Sequence, residues 1–257
     1  MEEFLLFAAV GFLAQAVDGA LGMAYGVISS TVLLGFGVPP ATASASVHAA
    51  EVFTTAASAG SHAVNRNVNW KLFAPLAIGG CLGGAIGAFV LTSIDGDVVK
   101  PFITAYLALM GAMILYRAWR AREPRKFPLK YSGPLGLVGG FLDAVGGGGW
   151  GPTVTTAMVG AGAEPRISIG TANTAEFFVT STISAAFLAA LLSGHWAEAD
   201  VASHAASVAG LIVGGLLAAP LAGYIVRFVP VRVLTYAVGV VVLFLAGYQT
   251  ARLTGLL

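Results

Sequence analysis

Two apolar segments of this chain are too long for one membrane crossing, and glycine interrupts both. The first runs from Phe4 to Phe36 and carries Gly19, Gly22 and Gly26. The second runs from Leu135 to Gly162 and reads LDAVGGGGWGPTVTT across residues 142–156. The 33 residues of the first, as one straight helix, would extend about 50 Å against an apolar bilayer core of about 30 Å. Each segment is therefore expected to be a hairpin of two short helices that meet at the glycine break. Backbone broken at membrane depth must be buried in protein or line a wet cavity.

The remaining apolar segments, 40–62, 70–91, 98–119, 167–192, 202–228 and 231–250, have the length of single spans. The chain is 57% hydrophobic and only 10% charged. A soluble domain carries about 25% charged residues, so lipid is the expected solvent for most of the surface. The net charge of +1 gives no reason to expect nucleic acid as a partner. A lone Cys81 excludes an intrachain disulfide and a multi-thiol metal centre. The opening Met1-Glu2-Glu3 lacks the basic start of a cleaved signal, so the first segment is expected to be retained.

The chain also repeats itself. A shift of 125 residues lays Asp18 on Asp143, Gly22 on Gly147, Tyr25 on Trp150 and Gly26 on Gly151. The same register lays Pro40 on Pro165, Glu51 on Glu176 and Thr55 on Thr180. Shared glycine alone would not align Asp, Pro and Glu without a gap. The expected fold is an all-α polytopic membrane protein of two repeats, 1–120 and 135–257, joined by a basic linker, 121–134. Each repeat is a hairpin (4–36 or 135–162) followed by three spans.

Charge sets the expected orientation. Residues 117–130 hold six of the thirteen Lys and Arg, which places them on the cytoplasmic side. If 135–162 enters and returns, Arg166, Arg227 and Arg232 also fall inside, and the acidic stretch 193–200 falls outside. Each repeat then crosses an odd number of times, the halves are inverted, and both termini lie outside. Inverted repeats with matched broken helices point to a secondary transporter whose site lies near the midplane.

The breaks supply candidate site groups. A helix that restarts after glycine presents free N–H groups and the positive end of its dipole, and glycine lets a ligand reach the backbone. Candidate anion-binding residues are Gly22, Tyr25, Gly26 and Ser29 at the first break, and Gly147, Gly148, Gly149, Trp150, Gly151 and Thr153 at the second. Ser44 and His48 on the following helix join them, with Thr171 and Asn173 in the matching half. The same glycines also suit close helix packing. Ser44, His48, Glu51, Thr55, Ser58 and His62 recur on one helical face. Glu51 and Glu176 are costly inside a membrane and are functional candidates. Three roles stay open for them: carrying coupling protons, binding a cation, or bracing the hairpins. Asp18 and Asp143, just before the breaks, are expected to accept hydrogen bonds from the broken backbone. No metal site and no cofactor is expected, and no catalytic arrangement of Ser/Lys, Ser/His or HExxH type is placed within a segment.

The motifs DGALGMAYG and DAVGGGGWGP, with PPATASASVHAAEVFTT and SIGTANTAEFFVT, resemble the sulfite exporter TauE/SafE family of membrane permeases. The resemblance covers nearly the whole chain. It implies a permease of the bacterial inner membrane that moves sulfur-containing or organic anions such as sulfite, often outward. The alternatives are a cation or metal-ion carrier built on the paired glutamates, and a passive anion channel.

Overall fold

The structure is a computed structural model that describes residues 2–21, 23–119, 127–161, 163–196, 204–225 and 231–256. Gly22, Gly162, Arg227 and residues 120–126 of the basic linker lie outside the described residues. The described residues are helical throughout, in the order α1 (Glu2–Leu21), α2 (Tyr25–Gly35), α3 (Pro40–Val64), α4 (Trp70–Ser93) and α5 (Gly96–Trp119), then α6 (Ser132–Gly146), α7 (Thr156–Gly160), α8 (Pro165–Leu192), α9 (Ala205–Ile225) and α10 (Val231–Leu253).

Local sequence sets these boundaries. Pro40 and Pro165 open α3 and α8 at the first helical position, where a missing N–H leaves nothing unsatisfied. Asn69 caps α4, its side-chain oxygen accepting from the N–H groups of Lys71 and Leu72 at 3.1 and 3.4 Å. Both glycine segments do break. In the first, α2 is an 11-residue arm, about 16 Å long. In the second, a π-helical turn, Gly151–Thr155, leads into α7. Pro152 in that turn withholds a backbone donor. One expectation fails in detail: the first arm of the first hairpin is not short, since α1 runs for 20 residues.

Among the described residues, four helical stretches are long and apolar enough to cross a membrane: Trp70–Ser93, Gly96–Tyr116, Pro165–Leu192 and Tyr236–Leu253. Helix α3 has the length but not the composition, because its polar face is turned inward. Ser44, His48, Glu51, Thr54 and Thr55 are all buried. The exposed faces are apolar instead: Ile78, Leu82, Ile86 and Phe89 on α4, Phe102 and Leu109 on α5, Val240 and Phe244 on α10. A polar interior beneath an apolar surface is the arrangement lipid demands.

Glycine sets the helix pairing. Helix α4 lies on α6 through Gly79, Gly83 and Gly87, where added methyl groups would strike the backbone of Gly133, Leu137 and Phe141. In the same way, α9 lies on α1 through Gly210 and Gly214, against the carbonyls of Phe4 and Ala8. Small residues spaced by four let helices approach to backbone contact. Gly79 meets Gly133 as Gly214 meets Ala8, so the pairs correspond with an offset of 125 residues between α1 and α6 (133 − 8) and 135 between α4 and α9 (214 − 79). Each joins the first half of the sequence to the second, so the halves interlock.

The ends of the hairpins are also located. Glu2, Glu3, Leu6 and Phe7 line one cavity with Phe36 and Val38. Phe7 and Phe36 pack edge to face at 5.8 Å. The start of α1 and the end of α2 therefore lie side by side. Phe127 and Leu129, before α6, share a cavity of about 910 Å³ with Met158 and Ala163 at the end of α7. The α3–α4 loop reaches that cavity through Asn69 and Lys71. Pro39 and Pro40 instead share a cavity of about 560 Å³ with Asp95, Asp97, His195 and Trp196.

Candidate functional site at the meeting of two hairpin tips

Each tip is tied by the carboxylate that precedes it. Asp18, near the end of α1, accepts the N–H of Tyr25 at 3.3 Å. Asp143, near the end of α6, accepts from Gly149 at 2.6 Å and Trp150 at 2.9 Å through Oδ1. The main-chain carbonyl of Asp143 also accepts from Gly147 and Gly148, at 2.9 and 3.1 Å. Gly147 and Gly148 sit at φ of 70° and 130°, which an L side chain rarely adopts. Position 24 of the first tip has φ of 123° yet carries alanine. The ring behind each tip is tied as well. Tyr25 Oη donates to the Leu211 carbonyl at 2.9 Å, and Trp150 Nε1 to the Ala172 carbonyl at 3.0 Å.

The tips touch. A methyl group on Gly148 would fall onto the backbone of Gly26. One on Gly26 would come within 2.5 Å of Gly148 Cα and 2.6 Å of Glu51 Oε1. Gly147 packs against Ser30 and Ser44, and Ser44 Oγ donates to the Ala144 carbonyl at 2.5 Å. The buried stripe of α3 then runs alongside. His48 Nε2 lies 3.3 Å from Asp143 Oδ2. Thr180 Oγ1 of α8 reaches the His48 carbonyl at 3.3 Å and Glu51 Oε2 at 3.4 Å. Glu176 is buried on α8, one helical turn before Thr180.

Two glycine breaks thus approach to backbone contact beside buried carboxylic groups, which makes this the candidate site. The family model for sulfite exporter TauE/SafE matches residues 7–250. The chain belongs to the TauE/SafE family. It is similar to the probable membrane transporter protein YtnM of Bacillus subtilis (strain 168), 43% identical over 234 residues, with 88% of this chain and 76% of that protein covered. It is also similar to the probable membrane transporter protein ORF9 of a Sinorhizobium species, 29% identical over 151 residues, with 58% of this chain and 57% of that one covered. As a TauE/SafE protein with apolar spans, it is a multi-pass membrane transporter.

The candidate residues of this TauE/SafE chain divide into those the fold gathers and those it does not. Tyr25, Gly26, Gly147, Gly148, Gly149, Trp150, Ser44, His48, Glu51, Asp18 and Asp143 meet at or beside the tips. Gly22 lies outside the described residues. Thr171 lies away from the tips, where its Oγ1 accepts the Asn69 N–H at 2.9 Å and anchors the α3–α4 loop. Asn173 donates to Ser58 Oγ at 3.1 Å, further along α3. Thr153 faces α5, with Met110 Sδ at 3.8 Å. Gly151 is buried in the π turn, and Ser29 Oγ is buried without a protein partner.

Two neighbours escape a reading of the motifs alone. Tyr106 of α5 packs on Gly146 and Gly149, where a side chain would collide with its ring and hydroxyl. Gln249 of α10 donates to the Thr31 carbonyl at 3.2 Å and accepts from Thr104 at 3.1 Å, which fastens α2 to α5 and α10. A glutamine inside an apolar span is the signal that marks the second. Tyr106 has no such signal, because tyrosine is ordinary in a membrane helix.

Proposed function

We propose that this protein is a secondary transporter, working as an exporter, for small sulfur-containing or organic anions such as sulfite. It moves them across the bacterial inner membrane by alternating access of two inverted halves. The observation that carries the proposal is the contact between two matched helix breaks, Gly26 against Gly148, inside a TauE/SafE chain. Three further observations support it. Broken helices in matching positions of two halves mark the binding region of secondary transporters. The two ends of each hairpin share a cavity with each other, as re-entrant hairpins require. The α4–α6 and α9–α1 contacts exchange under the repeat, as a pseudo-two-fold axis requires. The orientation with both termini outside and residues 117–130 inside belongs to the same proposal.

The anion is held at the tips, near Gly26, Ser29, Ser44, Gly147 and Gly148. The Lys and Arg residues placed by hydrogen bonds or cavities lie at segment ends: Arg166 on Asn65 and Asn67, Lys71 by the α3–α4 loop, Lys100 and Arg252 around a cavity of about 190 Å³. Binding therefore rests on backbone dipoles and hydroxyls, which keeps it weak enough to release. The tip N–H groups are engaged by Asp18 and Asp143 in this state, so the anion enters as those carboxylates let go. One observation favours a second reading. The gathering of Asp18, Glu51, Asp143 and Glu176 would suit a cation carrier.

Binding by the purified protein to sulfite, thiosulfate, sulfoacetate and acetate separates the readings. Saturable binding of at least one sulfur anion, with counterflow in liposomes, is expected. Binding of a divalent metal with no anion bound would favour the cation carrier, and flux without counterflow would favour a passive channel.

A further inference from the structure

We propose that the coupling proton of this transporter is held between His48 and Asp143, one proton per cycle. The inference rests on the transport reading above and adds the site and identity of the coupling ion.

Counting donors and acceptors makes the case. His48 Nδ1 has two neighbours, the Ser44 carbonyl at 2.7 Å and Ser44 Oγ at 3.3 Å. A carbonyl oxygen only accepts. Ser44 Oγ has committed its own hydrogen to the Ala144 carbonyl at 2.5 Å, so toward the ring it too accepts. Nδ1 therefore carries hydrogen. In a neutral ring that leaves Nε2 bare, and Nε2 faces Asp143 Oδ2 at 3.3 Å. Both side chains are buried, at 0% and 2% exposure, so no bulk water reconciles two facing lone pairs. One further proton must sit between them, on Nε2 or on Oδ2. Oδ1 of the same carboxylate is occupied by two N–H groups, from Gly149 and Trp150, so a carboxyl proton has only Oδ2 to occupy.

Glu51 on the same helix, Tyr106 of α5 and Glu176 of α8 are the titratable groups that face the pair, and Asp18 and Tyr25 lie beyond them, beside Glu51. Among these described groups the structure brings His48 and Asp143 within hydrogen-bond distance of each other. The repeat has no second such pair. Asp18 matches Asp143, but the position matching His48 is Asn173, an amide that cannot take up a proton. The proposal therefore assigns one proton to this pair.

The proton also has leverage. Oδ1 of Asp143 holds the second tip, and a carboxyl group that gains a proton is a weaker acceptor for Gly149 and Trp150. A shift of the shared proton from Nε2 onto Oδ2 therefore loosens the tip where the anion is proposed to bind. Unloading breaks the Nε2–H or Oδ2–H bond and passes H⁺ to water on the open side, and no electrons move. Anion and proton then travel together, so export runs where the outward drive on the anion exceeds the inward drive on the proton.

Two measurements test this. In protein labelled with ¹⁵N-histidine and held in lipid, only four histidines contribute, and His48→Gln identifies the signal of His48. The expected spectrum shows Nδ1 protonated throughout and a pH-dependent Nε2 that loses this response in Asp143→Asn. A bare Nδ1, or an unchanged Nε2 response in Asp143→Asn, overturns the proposal. In liposomes with an imposed pH gradient, sulfite accumulation beyond protein-free vesicles is expected on the alkaline side. The accumulation ratio should fall to about one in His48→Gln and in Asp143→Asn. Ratios equal to the unmodified protein, or accumulation on the acid side, overturn it. If Asp143→Asn does not fold, the protonation of Nδ1 in the unmodified protein, assigned through His48→Gln, carries the spectral test, and His48→Gln carries the transport test. If the unmodified protein moves no sulfite, the transport reading fails while the spectra still decide the pair.

Discussion

The two hairpin tips descend from one pattern and have been finished differently. At the first, Asp18 holds one N–H at 3.3 Å, and the residue before Tyr25 is an alanine at φ 123°. At the second, Asp143 holds two N–H groups at 2.6 and 2.9 Å, the matching position is Gly149, and His48 stands behind the carboxylate. The first tip is loosely tied and strained; the second is tightly tied and charged. On the proposed mechanism, in which the halves exchange roles, such an inequality assigns the proton to one side. The shared parts, the glycine contact and the tied rings, are what both halves need to meet at all.

The largest effect should come from the contact itself. Gly148→Ala places a methyl group on the backbone of Gly26, which has no flexible side chain to move away, at a φ of 130° that alanine avoids. A loss of at least about 3 kcal/mol is expected, with transport abolished. Gly37→Ala is the control, because φ is 88° there but nothing lies within 4 Å. That change should cost about 1 kcal/mol of strain. Thermal melting of both variants in detergent separates steric conflict from backbone strain. Equal losses would mean that the tips do not touch.

The next effect separates the two carboxylates. Asp143→Asn removes a charged acceptor shared by two buried N–H groups and a histidine, and should destabilise by about 2–3 kcal/mol. Asp18→Asn replaces the carboxylate acceptor of one longer bond by a weaker amide oxygen and should cost about 1 kcal/mol. Melting temperatures of the pair, measured in the same detergent, check the order. If the two substitutions cost the same, the tips are equivalent and the single proton site loses its structural reason.

Much of the frame was legible before any coordinates. The 125-residue register, the two breaks and the caging of each tip by its preceding aspartate follow from Gly, Pro and Asp in matched places, and those residues act locally. The inward face of α3 was legible for the same reason, since Ser44, His48, Glu51 and Thr55 fall one helical turn apart. What crosses between helices was not. His48 lies 95 residues from Asp143, and nothing in the spacing of the two motifs joins them. The pairing of α4 with α6 that closes the tips together depends on glycines that resemble any other small residues of a membrane helix. The length of α1 was hidden because glycines near its end read as an earlier break. Thr171 was misplaced because a hydroxyl near the start of a helix serves a loop as readily as a ligand.

The smallest effect is the most pointed test of the comparison, because it turns the first tip toward the second. Ala24 is buried and sits at φ 123°, where its Cβ is in steric conflict with its own backbone. Glycine relieves that conflict but frees the unfolded chain, and the second term offsets part of the first. Ala24→Gly should therefore raise stability by about 0.5–1 kcal/mol, a rise of a few degrees at most in melting temperature. If the strain instead holds the first tip ready to move, the same variant should transport more slowly while melting higher. A variant that melts lower would show that Ala24 is not strained. The difference between the tips would then reduce to Asp143 and its histidine.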